Sequence, residues 1–292
     1  MRVVPLLLLL TPAASLAEAQ VTRDSVLWAD STPTRITIWA PAGASARLPT
    51  LIFSPGFGQV PGAYATLLEQ WAKHGYLVIG VAHPPFKDPD NMEVGEASPV
   101  IARQLVRAFG YITRTRNDPG SPFVRMDLAR IGAVGHSVGG SAAAQACAWE
   151  PRLKAGMNLD GTIFGEVVHT GMRQPFFLVR QKIYPSPGDR PRFLELHDQA
   201  SLHEDSVWAH TATMYWLTVD HLEHMAFTDA ALAPTPGQRV KTATGLGISA
   251  QQVQEITTRY VVDFFGHYLS GAVRTGSLDQ SPFDGTTLKA KR

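Results

Sequence analysis

Cysteine is almost absent: Cys147 is the one thiol in 292 residues. An intramolecular disulfide is therefore impossible, and stability has to come from a packed core. Charge is sparse and balanced, with 26 Lys and Arg against 25 Asp and Glu. A net charge of +1 provides no basic surplus to neutralise a polyphosphate backbone, so nucleic acid is not an expected partner. Internal repeats and low-complexity linkers are also missing, which favours one domain over several. What is present is an ordinary globular balance of 45% hydrophobic and 17% charged residues, enough to bury a substantial core.

The first residues stand apart. Met1-Arg2 is a short basic start, Val3 to Leu10 an apolar run too short to span a bilayer, and Ala17-Glu18-Ala19 an A-x-A site. This predicts a cleavable signal peptide over 1–19 and a secreted or periplasmic protein. No cysteine follows the run, so neither a lipid attachment nor any other stable membrane anchor is expected. Cys147 itself falls in an alanine-rich segment, where a small buried apolar role is expected.

Strand and helix signals alternate from there on. "TRITIWAPAG" reads as a half-buried strand, and "LIF" as a strand stopped by Ser54-Pro55-Gly56. "YATLLEQWAKHG" has helical spacing and ends at Gly75, "YLVIGVAH" is a buried strand, and "SPVIARQLVRAFGYI" predicts a helix starting near Ser98-Pro99. "ARIGAVG", "AGMNL", "PFFLVR" and "TATMYWLTV" predict further strands. A polar helix is expected over 190–209 and an amphipathic one over 250–269. Alternation of this kind implies an α/β protein with a mainly parallel central sheet, helices on both faces and an antiparallel N-terminal edge. The domain is expected to fill 20–270, with 271–292 as a polar C-terminal tail.

Chemistry gathers at the carboxyl ends of strands in such sheets. There, "AVGHSVGG" holds the one G-x-S-x-G of the chain, between a strand and a small-residue helix. That context makes Ser137 a candidate nucleophile on a tight turn, with Gly135 and Gly139 sparing a collision with the neighbouring elements. A serine hydroxyl needs a base, normally His, oriented by a carboxylate. Asp160 follows the strand "AGMNL" directly and reaches the same rim. His221 and His224 both follow the late strand in "MYWLTVDHLEHMAFTD", and spacing alone does not choose between them. A metal at His-x-x-His finds no support from H-E-x-x-H or from cysteine ligands, so neither metal nor other cofactor is expected. An oxyanion site would use two backbone amides. Val138, directly after the serine, is one candidate, and Phe57 in the Pro- and Gly-bound turn "SPGFG" is the other.

Together these segments resemble the α/β-hydrolase superfamily, in its platelet-activating-factor acetylhydrolase-like branch of secreted esterases and lipases. "IFSPGFG" is similar to that family's F-S-H-G-L-G loop, "LLEQWAKHGYLVIGVAHP" to its helix–H-G–strand segment, and "RIGAVGHSVGG" to its I-G-H-S-F-G-G turn. Asp160 lies 23 residues after Ser137, in "NLDG", which resembles A-L-D-A. "HMAFTD" matches H-x-x-F-x-D, and this selects His224 over His221. The resemblance implies a Ser137–His224–Asp160 triad cleaving carboxylic esters of small molecules or lipids, of the short-acyl or phospholipid acetyl type. Two departures bear on substrate. Pro55 replaces a histidine, as in the S-P-G-[FY] loop of cutinase-like polyester hydrolases and bacterial lipases, and "AHPPFKD" lacks the family's E-H-R-D. A lipase or polyester hydrolase is the alternative, and an acyltransferase would use the same groups. A catalytically inactive binding protein on the same fold is the reading outside enzymes. Oligomeric state, and whether "RQKIYPSPGDRPRFLE" forms a lid, are not legible.

Overall fold

The structure, a computed structural model, describes residues 20–29, 33–44, 46–83, 94–182 and 191–292. The leader expected over 1–19, and residues 183–190 of the segment considered as a lid, lie outside the described residues.

Among the described residues nine strands form one sheet: β1 (Val21–Trp28), β2 (Thr34–Pro41), β3 (Leu48–Ser54), β4 (Leu77–Val81), β5 (Met126–His136), β6 (Ala155–Leu159), β7 (Phe176–Gln181), β8 (Met214–Val219) and β9 (Thr286–Lys291). Their order is β1-β2-β4-β3-β5-β6-β7-β8-β9. The six strands β3 to β8 run parallel, while β1, β2 and β9 pair antiparallel at the two edges. The chain leaves β3 in the middle of the sheet, steps to β4, then crosses back to β5. The loops after β3 and β5 therefore leave the same rim side by side.

Successive side chains of a strand face opposite layers. Leu51 and Phe53 face α1 (Ala65–Lys73) and α7 (Ala250–Ser270), whereas Ile52 faces α2 (Val94–Thr115). Phe177 and Val179 likewise join the first layer, Phe176 and Leu178 the second. The second layer also holds α3 (Val138–Trp149), α4 (Val167–Thr170) and α5 (Pro191–His210). Ten of the twelve residues of α3 are buried, so this alanine-rich helix is apolar all round and packs in the interior rather than on the surface. Cys147 lies there, fully buried.

Two expectations need correction. α2 begins at Val94, upstream of Ser98, and runs through Pro99, giving up one backbone bond to do so. The polar tail expected over 271–292 is part of the domain. Leu278 is fully buried, and β9 adds to β8 with Leu217 opposite Leu288. β9 reads as polar because it is an edge strand with one face in solvent. Only Leu288 packs on the core, while Lys289 lies over the Trp216 ring at 4.7 Å.

Candidate active site

Ser137 sits where β5 gives way to α3, at φ 56° and ψ −128°. A non-glycine residue in that region costs on the order of 1–3 kcal/mol and persists only where its surroundings impose it. Here the surroundings are backbone. A Cβ on Gly135 would stand 2.1 Å from the Gly139 carbonyl oxygen, and one on Gly139 would stand 2.2 Å from that of Ser54. The two motif glycines thus let strand, turn and helix approach closer than any side chain would permit. The Ser137 N–H donates to the Leu159 carbonyl at 2.9 Å, which ties the turn to the end of β6.

Asp160 is the next residue along that strand, also at positive φ (55°). Its Oδ1 accepts from the Gln181 N–H at 2.9 Å and from the Arg180 guanidinium at 3.3 Å, both at the end of β7. Its Oδ2 accepts from Nδ1 of His224 at 2.7 Å. Burial by itself would raise this carboxyl, but the His224 hydrogen bond, the Arg180 charge and the Gln181 amide together hold it below the usual carboxylate range. Asp160 therefore stays ionised, and an ionised acceptor requires the proton on Nδ1 of His224. Nε2 is left to accept from the Ser137 hydroxyl, at 3.0 Å. The Asp160 carboxylate is fully buried and the imidazole 42% exposed, so the line of three groups runs from the interior outward.

The motif "HMAFTD" has a separate physical use for each end. His224 opens a 3-10 turn over His224–Phe227. Phe227 is fully buried, its ring 5.1 Å from that of His136. The Asp229 carboxylate accepts from the Thr66 N–H at 3.1 Å, capping the first turn of α1. His224 is thus carried on a short turn pinned at both sides. His221 instead occupies a left-handed position (φ 56°) just beyond β8.

Sequence reasoning passed over three participants. His136, inside the G-x-S-x-G motif, is buried and bonds the His224 carbonyl oxygen through Nε2 at 2.8 Å. A carbonyl only accepts, so Nε2 carries the proton and Nδ1 accepts from the Tyr64 hydroxyl at 2.8 Å. Tyr64 in turn accepts from the Gly56 N–H at 3.1 Å. Burial, then the nearby His224, push the His136 imidazole down to about 3, so it stays neutral and this order of donors holds. The third participant, Arg180, carried a legible signal: a cation closing the apolar run "PFFLVR" at the rim where Asp160 stands.

The proposed oxyanion donors flank Ser137. Val138 is the first residue of α3, where an N–H has no partner within its helix. The Gly56–Phe57 turn backs onto Ser137, since a Cβ on Gly56 would lie 3.4 Å from that of Ser137. The Phe57 side chain packs against a buried cluster that includes Ala97, Val138 and Ala142. Among the described residues no group of His, Cys, Asp and Glu could hold a metal ion, and no helix is long and apolar enough to cross a membrane.

A mainly parallel sheet in this order, with a serine, a carboxylate and a histidine at its carboxyl edge after β5, β6 and β8, defines an α/β-hydrolase. Comparison narrows the class. The family model for PET hydrolase-like proteins matches residues 14–163, and that for platelet-activating factor acetylhydrolase, isoform II, matches residues 124–279. The chain belongs to the α/β-hydrolase branch in which these two families meet. A probable 1-alkyl-2-acetylglycerophosphocholine esterase of Arthroderma benhamiae is 30% identical over 139 residues, 44% of this chain and 35% of that protein. Cutinase 2 of Thermobifida cellulosilytica is 32% identical over 108 residues, 36% of this chain and 37% of that one. The alignments span about a third to a half of the curated relatives. The solved structure of a ferulic acid esterase from Streptomyces cinnamoneus covers 96% of this chain and 98% of its own, with a TM-score of 0.73 and 22% identity, a likeness of fold.

Proposed function

We propose that this protein is a carboxylic ester hydrolase working through an acyl-enzyme on Ser137. The observation that carries the reading is the unbroken line Asp160–His224–Ser137, with contacts of 2.7 and 3.0 Å. Ser137 Oγ attacks the acyl carbonyl carbon while His224 Nε2 takes the hydroxyl proton. Asp160 holds the Nδ1–H tautomer and stabilises the imidazolium that forms. The N–H groups of Val138 and Phe57 donate to the tetrahedral oxyanion. As the carbon–oxygen bond to the alcohol breaks, Nε2 returns the proton to the leaving alkoxide. Water then attacks the acyl-enzyme with the same base, releasing the acid and restoring Ser137.

The substrate reading is a short-acyl or phospholipid acetyl ester, which the match to the acetylhydrolase family over 124–279 supports. A second reading, hydrolysis of polyesters or long acyl chains, draws on Pro55 in the "SPGFG" loop and the PET hydrolase-like match over 14–163. Rates across p-nitrophenyl esters from acetate to palmitate separate the two, because a short-acyl pocket loses activity steeply with length. The leader-like first 19 residues support export, which N-terminal sequencing of the mature protein tests.

The triad itself is tested by replacing its members. Ser137→Ala is expected to lower kcat by about 10⁴-fold or more and to abolish labelling by a fluorophosphonate. His224→Ala should match it, while His221→Ala retains most of the activity. Near-normal esterase activity in Ser137→Ala would overturn the reading.

A further inference from the structure

Among the described residues the carboxyl end of β7 carries no acidic side chain, and it offers Asp160 a cation instead. Arg180 is nearly buried, and its guanidinium lies between two carboxylates. On one side it reaches Asp160 Oδ1 at 3.3 Å, and on the other its Nε stands 2.9 Å from Oε1 of Glu204 on α5. Glu204 is 2% exposed, so the guanidinium is enclosed between two buried carboxylates. A buried carboxylate 44 residues beyond Asp160 thus shares one guanidinium with the group that orients the base.

We infer that Arg180 and Glu204 are positioning residues for the triad, an outer charge pair that sets how much of the Asp160 charge His224 experiences. The inference rests on the Ser137–His224–Asp160 reading of the site. When Glu204 is ionised it draws on the guanidinium from the far side, leaving the negative charge of Asp160 to stabilise the imidazolium. When Glu204 is protonated the guanidinium answers Asp160 alone, and the imidazolium loses part of its support. The pair therefore adds a pH-dependent gain to the reaction on top of the base itself.

The surroundings allow this titration near neutrality. Burial raises the Glu204 carboxyl most, Arg180 opposes that, and Asp160 and Asp205 raise it further, to about 7. Asp205 belongs to α5 itself. From the α4 segment packed against α5, Glu166 and His169 are exposed. From the loop after β8, His224 faces the pair through Asp160.

The test is the second-order rate of Ser137 labelling by a fluorophosphonate, and kcat/KM for p-nitrophenyl acetate, followed from pH 5.5 to 8.5 in wild type and Glu204→Gln. The wild-type to variant ratio is expected to start near unity at the acid end and to grow several-fold by the alkaline end. The change should fall in kcat with KM held. Arg180→Lys, which keeps a charge but cannot bridge two carboxylates as a fork does, should show the same growing ratio. Glu204→Asp should restore part of the gain. A ratio independent of pH in either Glu204→Gln or Arg180→Lys overturns the inference, because a structural lesion lowers the rate alike at every pH. A wild type that is not labelled at Ser137 sinks the hydrolase reading instead, so the two failures are distinguishable.

Discussion

The Tyr64 hydroxyl is used twice, accepting from the Gly56 amide and donating to His136, which in turn holds the His224 carbonyl. One buried side chain therefore links the proposed oxyanion turn to the loop that carries the proposed base. Tyr64→Phe removes both bonds while keeping the ring, and a buried amide left without its acceptor costs roughly 1–3 kcal/mol. The expected result is a fall in kcat of about tenfold with little change in KM. Retention of full kcat would show that the link does not position anything. At this scale the members of the proposed triad were legible, because a strained turn demands glycines and a triad demands its three residue types in chain order. Tyr64 and Glu204 were not. Each reads as an ordinary helical residue, Tyr64 apolar and Glu204 solvated, until the fold brings it to a partner 72 or 24 positions away.

Among elements, β9 is the one whose role the sequence concealed. A strand buried on both faces announces itself as an apolar run, as β4 and β7 do. "TTLKAK" has one inward residue to show, and its remaining stabilisation lies in backbone bonds that leave no mark on composition. Its pairing partner β8 is otherwise the outermost parallel strand, and β8 delivers the His224 loop. Ending the chain after Asp284 is expected to lower Tm by about 5–10 °C, on the strength of a few kcal/mol of lost ladder and Leu288 packing. It should also raise light scattering at the uncovered β8 edge. A truncated protein with unchanged Tm would return 285–292 to the status of a tail. The start of α2 misled for a related reason: Ser98-Pro99 makes a good first turn locally, yet Ser98 is buried against the Ser141 hydroxyl at 2.6 Å, and tertiary packing extends the helix past it.

For the molecule as a whole, three buried groups set how stability responds to acid. Burial pushes His136 down to about 3 and His83 to about 4 from an ordinary 6.5. The unfolded chain therefore takes up two protons near pH 5.5 that the fold refuses, and each destabilises the fold as pH falls. Glu204, raised to about 7 from 4.5, works the other way, since at the same pH the fold holds a proton that the unfolded chain has released. The difference is a net one proton bound by the unfolded state, so stability rises with pH between about 5 and 6, by roughly 1 kcal/mol per unit. Urea unfolding should show that slope in wild type and about twice it in Glu204→Gln. An unchanged slope in the variant would mean that Glu204 is already ionised there. The general α/β architecture was readable throughout because parallel strands and amphipathic helices have distinct periods. The crossing of β3 into the centre of the sheet has no counterpart in periodicity. The single thiol, sealed inside α3, has a practical corollary. Any cysteine introduced on the surface becomes the sole address for a maleimide dye or a solid support under native conditions, with no native residue to remove first. Cys147 then serves as a silent clock, since it can react only in molecules that have opened.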